Sequence, residues 1–211
     1  MRSVVKYTDK LKSRLKTYRA RKKFFAIEIA EDDIAIDCGA NVGDVTRYFC
    51  QKGATVYSFE PNPYAFQALI DKFDLSKSVH CIEKGVGCDN GRRQLYLHEN
   101  ADSDQVKWST GSSFLSFKKN IRKDKFIEVD VIDLCDFIQG LESRVKILKM
   151  DVEGVECEIM KKLIDTKVVN LIDHIFVETH EKKIPELRKD TEDLKQLIRR
   201  KNLKNINLDW I

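Results

Sequence analysis

At 211 residues, 42% hydrophobic and 34% charged, the chain is sized for one domain with a substantial core and is far from the composition of a disordered polymer. Its net charge of +4 is unevenly spread: Met1–Phe25 carries ten Lys/Arg against one acid, Asp9, so the remainder is mildly acidic. No apolar run approaches the ~20 residues of a membrane span and the N-terminus lacks the apolar core of a signal peptide, so a cytoplasmic protein is expected.

In chain order, Val4, Leu11, Leu15 and Tyr18 recur at helical spacing among Lys and Arg. Residues 1–27 are therefore expected to form a basic helical extension covering one edge of a domain at 28–211. A face for an anionic membrane or a nucleic acid is the less favoured alternative. Ile34–Asp37 suits a central parallel strand running into a glycine turn, then a helix from about Gly43 to Lys52, closed by Gly53. Ala54–Phe59 is the second strand. Asn62 before Pro63 marks a helix start, a capping side chain followed by a residue whose missing N–H costs nothing there. Strands follow at Val79–Ile82, Gln94–His98 and Phe126–Val131, with a small-residue loop at Ser109–Ser113. Val145–Met150 is a further apolar strand. A helix bearing Val155, Ile159 and Leu163 comes next, then a strand at His174–Thr179, a helix at Lys183–Lys201 and a last short strand within Asn205–Trp210. Strands alternating with helices predict an α/β, Rossmann-like, doubly wound and mostly parallel sheet. The six cysteines form no C-x-x-C pair and fall in or beside these elements, which suits buried, reduced thiols better than a metal or disulfide framework.

Ligands of such a sheet sit at the carboxyl ends of its strands. Asp37, Glu60, Asp151 and Glu178 each close an expected strand, so four carboxylates should line one rim, and a cationic ligand would offset the cost of gathering them. The glycine turn departs from the dinucleotide pattern G-x-G-x-x-G: after Gly39 come Asn41 and Asp44 at the second and third positions. Pyrophosphate would meet Asp37 and Asp44 with little local positive charge, whereas a ligand carrying one carboxylate, an ammonium and a sulfonium fits better. Glu60, 21 residues past Gly39, stands where an acid accepts from both ribose hydroxyls.

Three segments, Asp37-Cys-Gly-Ala-Asn-Val-Gly43, Glu60-Pro-Asn-Pro63 and Lys149-Met-Asp-Val-Glu-Gly-Val-Glu156, resemble in order and spacing the FkbM family of S-adenosylmethionine-dependent methyltransferases. The resemblance runs from about Asp33 to His180, with Ser112-Ser113-Phe114 similar to the family's central loop. It implies a class I methyltransferase-like fold and methyl transfer to a hydroxyl of a sugar, glycan or natural product. It also implies a cofactor site in which Gly39, Asn41 and Gly43 shape the loop and Asp37 lies near the methionine part. Glu60 and Pro61 would then meet the ribose, and Glu83, Gly85 and Val86 the adenine. Asp151 and Glu153 would face the transfer site. Cys38 stands where a branched apolar residue is more usual.

Methyl transfer to an alcohol calls for alignment of the acceptor oxygen and a base within hydrogen-bond reach. His180, with an ordinary pKa of about 6.5, is the first choice, followed by Glu178 and Glu153. Alternatively, Asp151, Glu178 and His180 hold a divalent metal such as Mg²⁺ or Ca²⁺ that orients the acceptor. The bland readings are a capping role for Asp37, a surface pair for Glu60, helix-dipole placement of Asp151 and Glu153, and an ordinary loop histidine at 180. A nicotinamide-dependent oxidoreductase and a non-catalytic module of the same fold are the rival functions. A nucleic-acid substrate is disfavoured because the Asn/Asp-Pro-Pro-aromatic signature of base-gripping methyltransferases is missing. The sequence leaves the acceptor and the oligomeric state open.

Overall fold

The computed structural model describes residues 15–210, so the part of the expected basic helix before Leu15 lies outside the described residues. Helix α1 occupies residues 15–25. Then follow β1 (Ile34–Cys38), α2 (Asp44–Gln51), β2 (Thr55–Phe59), α3 (Pro63–Phe73) and β3 (Val79–Ile82). The middle of the chain holds β4 (Gly85–Gly87), β5 (Gly91–His98), β6 (Ile121–Asp133) and α4 (Leu134–Gly140). The last part is β7 (Val145–Met150), α5 (Glu156–Asp165), β8 (Ile172–Val177), α6 (Arg188–Arg200) and β9 (Ile206–Asn207).

Six strands form a parallel sheet in the order β3-β2-β1-β7-β8-β9. The chain winds outward from β1 in one direction and from β7 in the other, so the carboxyl ends of β1 and β7 make the topological switch point. Alternate residues of the central strands feed two cores. Ala35, Val56, Ile147 and Phe176 pack with Phe24, Phe49, Leu69 and Phe73. Ile36, Leu148, Met150 and Ile175 pack with Ile138, Ile159, Leu163 and Leu194. Helices α1–α3 thus cover one face and α4–α6 the other, which is why these strands read as continuous apolar runs rather than alternating ones.

Several expectations change in detail. The segments expected at Gln94–His98 and Phe126–Val131 stay out of the main sheet. There, β5 and β6 pair antiparallel with one another and, with β4, form a separate three-stranded sheet, order β4-β6-β5. The first half of β6 is exposed and charged at Arg122, Lys123 and Asp124, a pattern tolerated by a one-sided antiparallel ribbon and not by a parallel sheet buried on both faces. Helix α4 had no periodic signal over its seven residues; Asp133 caps it by accepting from the backbone N–H of Cys135 at 2.9 Å and of Asp136 at 3.4 Å. The expected Lys183–Lys201 helix opens as a 3₁₀ turn at Pro185–Leu187, and α6 itself starts at Arg188. The last strand shrinks to two residues; Trp210 beyond it is buried 4.1 Å from the Phe24 ring. Among the described residues no helix is long and apolar enough to cross a membrane.

The basic helix is not a loose appendage. Phe24 is fully buried among Tyr48, Phe49, Phe176 and Trp210, with ring centroids 4.1–5.6 Å away, so α1 is stitched to β8 and to the chain's last residues. Phe24→Ala is expected to cost about 3–5 kcal/mol of unfolding free energy, measured by urea denaturation. A loss under about 1 kcal/mol, as for an exposed side chain, would make α1 dispensable to the fold.

Candidate active site at the sheet's carboxyl end

The glycine turn after β1 is held by a polar row across the three central strands. Register sets Ser58 of β2, Asp37 of β1 and Lys149 of β7 side by side. Lys149 Nζ lies 3.0 Å from Asp37 Oδ1 and donates to the carbonyl of Gly39 at 2.7 Å, while Thr46 Oγ1 donates to Asp37 Oδ2 at 2.8 Å. Asp37 is fully buried and Lys149 nearly so. Burial alone would lower the lysine pKa, but Asp37 and Asp151 outweigh it and hold the ammonium above its ordinary value. Gly39 has φ of +75°, and a Cβ there would fall 1.9 Å from the carbonyl oxygen of Asp151, so the two strand ends touch backbone to backbone and only glycine fits.

Beside this turn opens a cavity of about 250 Å³. Gly39, Asn41, Glu60 and Pro61 form its floor, Gly85, Val86 and Phe114 an apolar wall, and Asp151, Glu153 and Lys183 the far end. Glu60 is almost fully buried. Its Oε2 accepts from the backbone N–H of Asn41 and its Oε1 from that of Asn62, both at 2.8 Å. Burial raises the carboxyl to about 7 against the opposing pull of those amides and of Lys149. The small-residue loop Ser109–Ser113 forms a roof: Asn41 Nδ2 donates to Ser109 Oγ at 2.8 Å, and the side chain of Ser113 donates to the carbonyl of Glu153.

At the far end the Asp-Val-Glu-Gly segment curls into a nest. Glu153 adopts φ of +58° and Gly154 φ of +129°, and a Cβ on Gly154 would fall 2.3 Å from Leu115. Buried Glu156 Oε1 receives the backbone N–H of Gly154 at 3.0 Å. His180 is buried behind them, with Nδ1 2.7 Å from Glu156 Oε1 and Nε2 3.1 Å from Glu153 Oε2. Burial would lower the imidazole, but Glu153 and Glu156 reverse this and raise it to about 10. Burial also lifts Asp151, to about 6. Glu153 is driven the other way: its desolvation is outweighed by His180 and Lys118, which bring it down to about 2.

A scan against family models matches the Methyltransferase FkbM domain over residues 37–204. The chain belongs to the FkbM methyltransferase domain family. It is 29% identical over 154 residues to the hexuronic acid methyltransferase AglP of Haloferax volcanii, covering 72% of this chain and 58% of that one. It is 26% identical over 162 residues to Methyltransferase 1 of Beauveria bassiana (70% and 65%) and 27% identical over 173 residues to Methyltransferase sdnD of Sordaria araneosa (69% and 66%). The chain thus spans about three fifths to two thirds of the length of these curated relatives. No solved structure gives a significant match.

Within this FkbM domain, Gly39, Asn41, Glu60, Pro61, Gly85, Val86, Asp151 and Glu153 all line the one cavity. Five other residues singled out from the sequence do not. Asp37 lies beneath the turn and acts on it through Lys149. Gly43 faces inward, where a Cβ would fall 2.6 Å from Leu69 and Phe73. Glu83 borders a separate hollow with Arg92 and Asp130. His180 and Glu178 sit behind the cavity wall rather than on it. Of the four carboxylates expected along the rim, Asp37 pairs with Lys149 at 3.0 Å and Glu178 with Lys183 at 2.9 Å, so the protein itself supplies the countercharge for two of them.

The sequence reading missed Lys149, although a lysine inside an apolar central strand is itself a signal, because a buried ammonium requires a partner. Lys118, Lys84 and Lys183 gave no such signal, lying in polar loops. Lys149→Met leaves Asp37 buried without its cation and is expected to cost about 3–5 kcal/mol in denaturant unfolding. The double variant Asp37→Asn/Lys149→Met should lose less than the sum of the single losses. Strict additivity would show that the two side chains do not act as a pair.

Proposed function

We propose that this chain is an S-adenosylmethionine-dependent O-methyltransferase acting on a hydroxyl of a sugar, glycan or natural-product acceptor. The observation that carries the reading is Glu60. It is a buried carboxylate on the cavity floor, each oxygen fixed by one backbone amide, and no ion pair engages it among the described residues. Each oxygen keeps a lone pair for a neutral donor, which suits the vicinal diol of a ribose. The apolar wall of Val86 and Phe114 suits an adenine face, and Asp151 suits the cationic end of the cofactor. When bound, the cofactor supplies an electrophilic methyl group. The residues of this chain hold it, aim the acceptor oxygen and keep water out, the Ser109–Ser113 roof serving the last purpose.

Asp151 and Glu153 mark the end at which an acceptor would meet the methyl. Among the described residues Asp151, like Glu60, is a cavity carboxylate without a lysine ion pair, whereas Glu153 has one. The similarity to a protein named as a hexuronic acid methyltransferase supports a sugar acceptor, and Lys84 and Lys183 in the cavity wall suit an acidic one. A nicotinamide cofactor is disfavoured by the same floor, where Asn41 spends its side chain on the roof and the lysines at the glycine turn, Lys149 and Lys72, are already engaged by Asp37, Asp44 and the carbonyls of Gly39 and Val42.

Calorimetry with S-adenosylhomocysteine tests the reading. Wild-type protein should bind it and not NAD(H), and Glu60→Gln should weaken binding about 10–100-fold, the worth of charge-assisted hydrogen bonds. No binding to the wild type would sink the proposal. The pH dependence has a fixed sign. The Glu60 carboxyl, raised to about 7, takes up a proton below that pH and loses acceptor capacity. Affinity should therefore be level above about pH 7 and fall by up to tenfold per unit below it. A flat profile from pH 5.5 to 8 would remove Glu60 from the contact.

A further inference from the structure

Behind the cavity wall, three potential ligand atoms converge: a carboxylate oxygen from each of Asp151 and Glu178 and an imidazole nitrogen of His180, all within 4.8 Å of one another. They come from the ends of neighbouring strands β7 and β8, whose last residues Met150 and Val177 are in register. His180 Nε2 stands 3.6 Å from Asp151 Oδ1 and 3.7 Å from Glu178 Oε1. An ion bonded at about 2.1 Å to each of two ligand atoms holds them about 3.0–4.2 Å apart as the angle opens from 90° to 180°, and both separations fall in that window.

Two further observations separate this cluster from a chance gathering of acids. The His180 side chain is fully buried, and its Nε2 makes no well-aligned hydrogen bond, its nearest oxygen being Glu153 Oε2 at 3.1 Å; Asp151 Oδ1 is likewise buried without a hydrogen-bond partner. On the other side of the ring, Nδ1 meets Glu156 Oε1 at 2.7 Å. Glu156 is itself buried and anchored by the backbone N–H of Gly154. A carboxylate behind the far nitrogen is the arrangement that orients a metal-ligating histidine.

We propose that His180 Nε2, Asp151 and Glu178 form a divalent transition-metal site, the ion displacing the Nε2 proton to solvent and Glu156 fixing the ring from behind through Nδ1. One imidazole and two carboxylates suit Mn²⁺ or Zn²⁺ better than Mg²⁺ or Ca²⁺, which take oxygen ligands throughout. Lys183, whose side chain is 58% exposed, pairs with Glu178 from the solvent side and swings away as the ion enters. Lys118 stays with Glu153 and keeps that carboxylate out of the ligand set. Because Asp151 also lines the cavity, the ion borders the acceptor end. That role as a Lewis acid rests on the methyl-transfer reading, but the binding site itself does not.

The test is titration of the metal-free full chain with Mn²⁺, followed by the loss of the free-ion electron paramagnetic resonance signal, and with Zn²⁺ by calorimetry. One ion per chain is expected, with affinity falling at least tenfold in Asp151→Asn and in Glu178→Gln, and with the exposed-site variant Glu128→Gln unchanged. Thermal melting of each variant reports folding. Should either fail to fold, the wild type alone decides: bound Mn²⁺ should broaden the His180 ring resonances well before those of His80. No uptake of either ion at millimolar concentration, undiminished uptake in both folded variants, or equal broadening of the two histidines overturns the site. S-adenosylhomocysteine binding in metal-free buffer is read separately, so failure here leaves that reading standing.

Discussion

A lysine and an aspartate buried side by side in the middle of a parallel sheet are costly to desolvate, and the arrangement persists because each satisfies the other. In this protein that pair, Asp37 and Lys149 at 3.0 Å, sits one residue before the ends of the two strands that define the switch point. Lys149 has donors to spare, and it uses one on the carbonyl of Gly39 at 2.7 Å. The glycine turn is thereby pinned to β7. The turn carries Asn41, whose backbone N–H orders Glu60 and whose side chain orders the roof at Ser109. The cavity floor, its carboxylate and its cover all trace back to one ion pair.

A second polar assembly stands at the far end of the cavity and is built differently. Asp151, Glu153, Glu156 and Glu178 surround one histidine, with Lys118 and Lys183 on the outside. Like charges at such distances repel strongly unless cations are interleaved among them, and the order here is imidazole, carboxylate, ammonium, both through Glu153 to Lys118 and through Glu178 to Lys183. The strained backbone of Glu153 and Gly154 is the geometric cost of bringing these groups together. Ion pairs and cavity-lining carboxylates are interwoven here, so removing any one member shifts the charge balance of the others.

The two assemblies explain why the fold and the candidate site were legible to different depths. The six-stranded sheet could be anticipated because its strands are buried on both faces and so appear as unbroken apolar runs. The antiparallel sheet could not be placed, because alternation reports one exposed face and says nothing of which sheet a strand joins. Helix α4 escaped notice because seven residues give too few turns for periodicity. Among the site residues, those fixed by local backbone needs were readable: Gly39 at its turn, Asn62 at its helix cap and Glu60 at its strand end. Lys118 and Lys183 were not, since a lysine in a loop carries no mark of where its ammonium ends up.

The sequence by itself determined the order of strands and helices, the switch point and the family motifs, all of which follow from local hydrophobic pattern and turn chemistry. Only the tertiary structure decided the pairing of charges. Strand register set Asp37 opposite Lys149, and the packing of a loop 35 residues away brought Lys118 to Glu153. It also set His180 among four carboxylates. Electrostatic interaction depends on distance and burial in space, and neither is written in the spacing of residues along the chain.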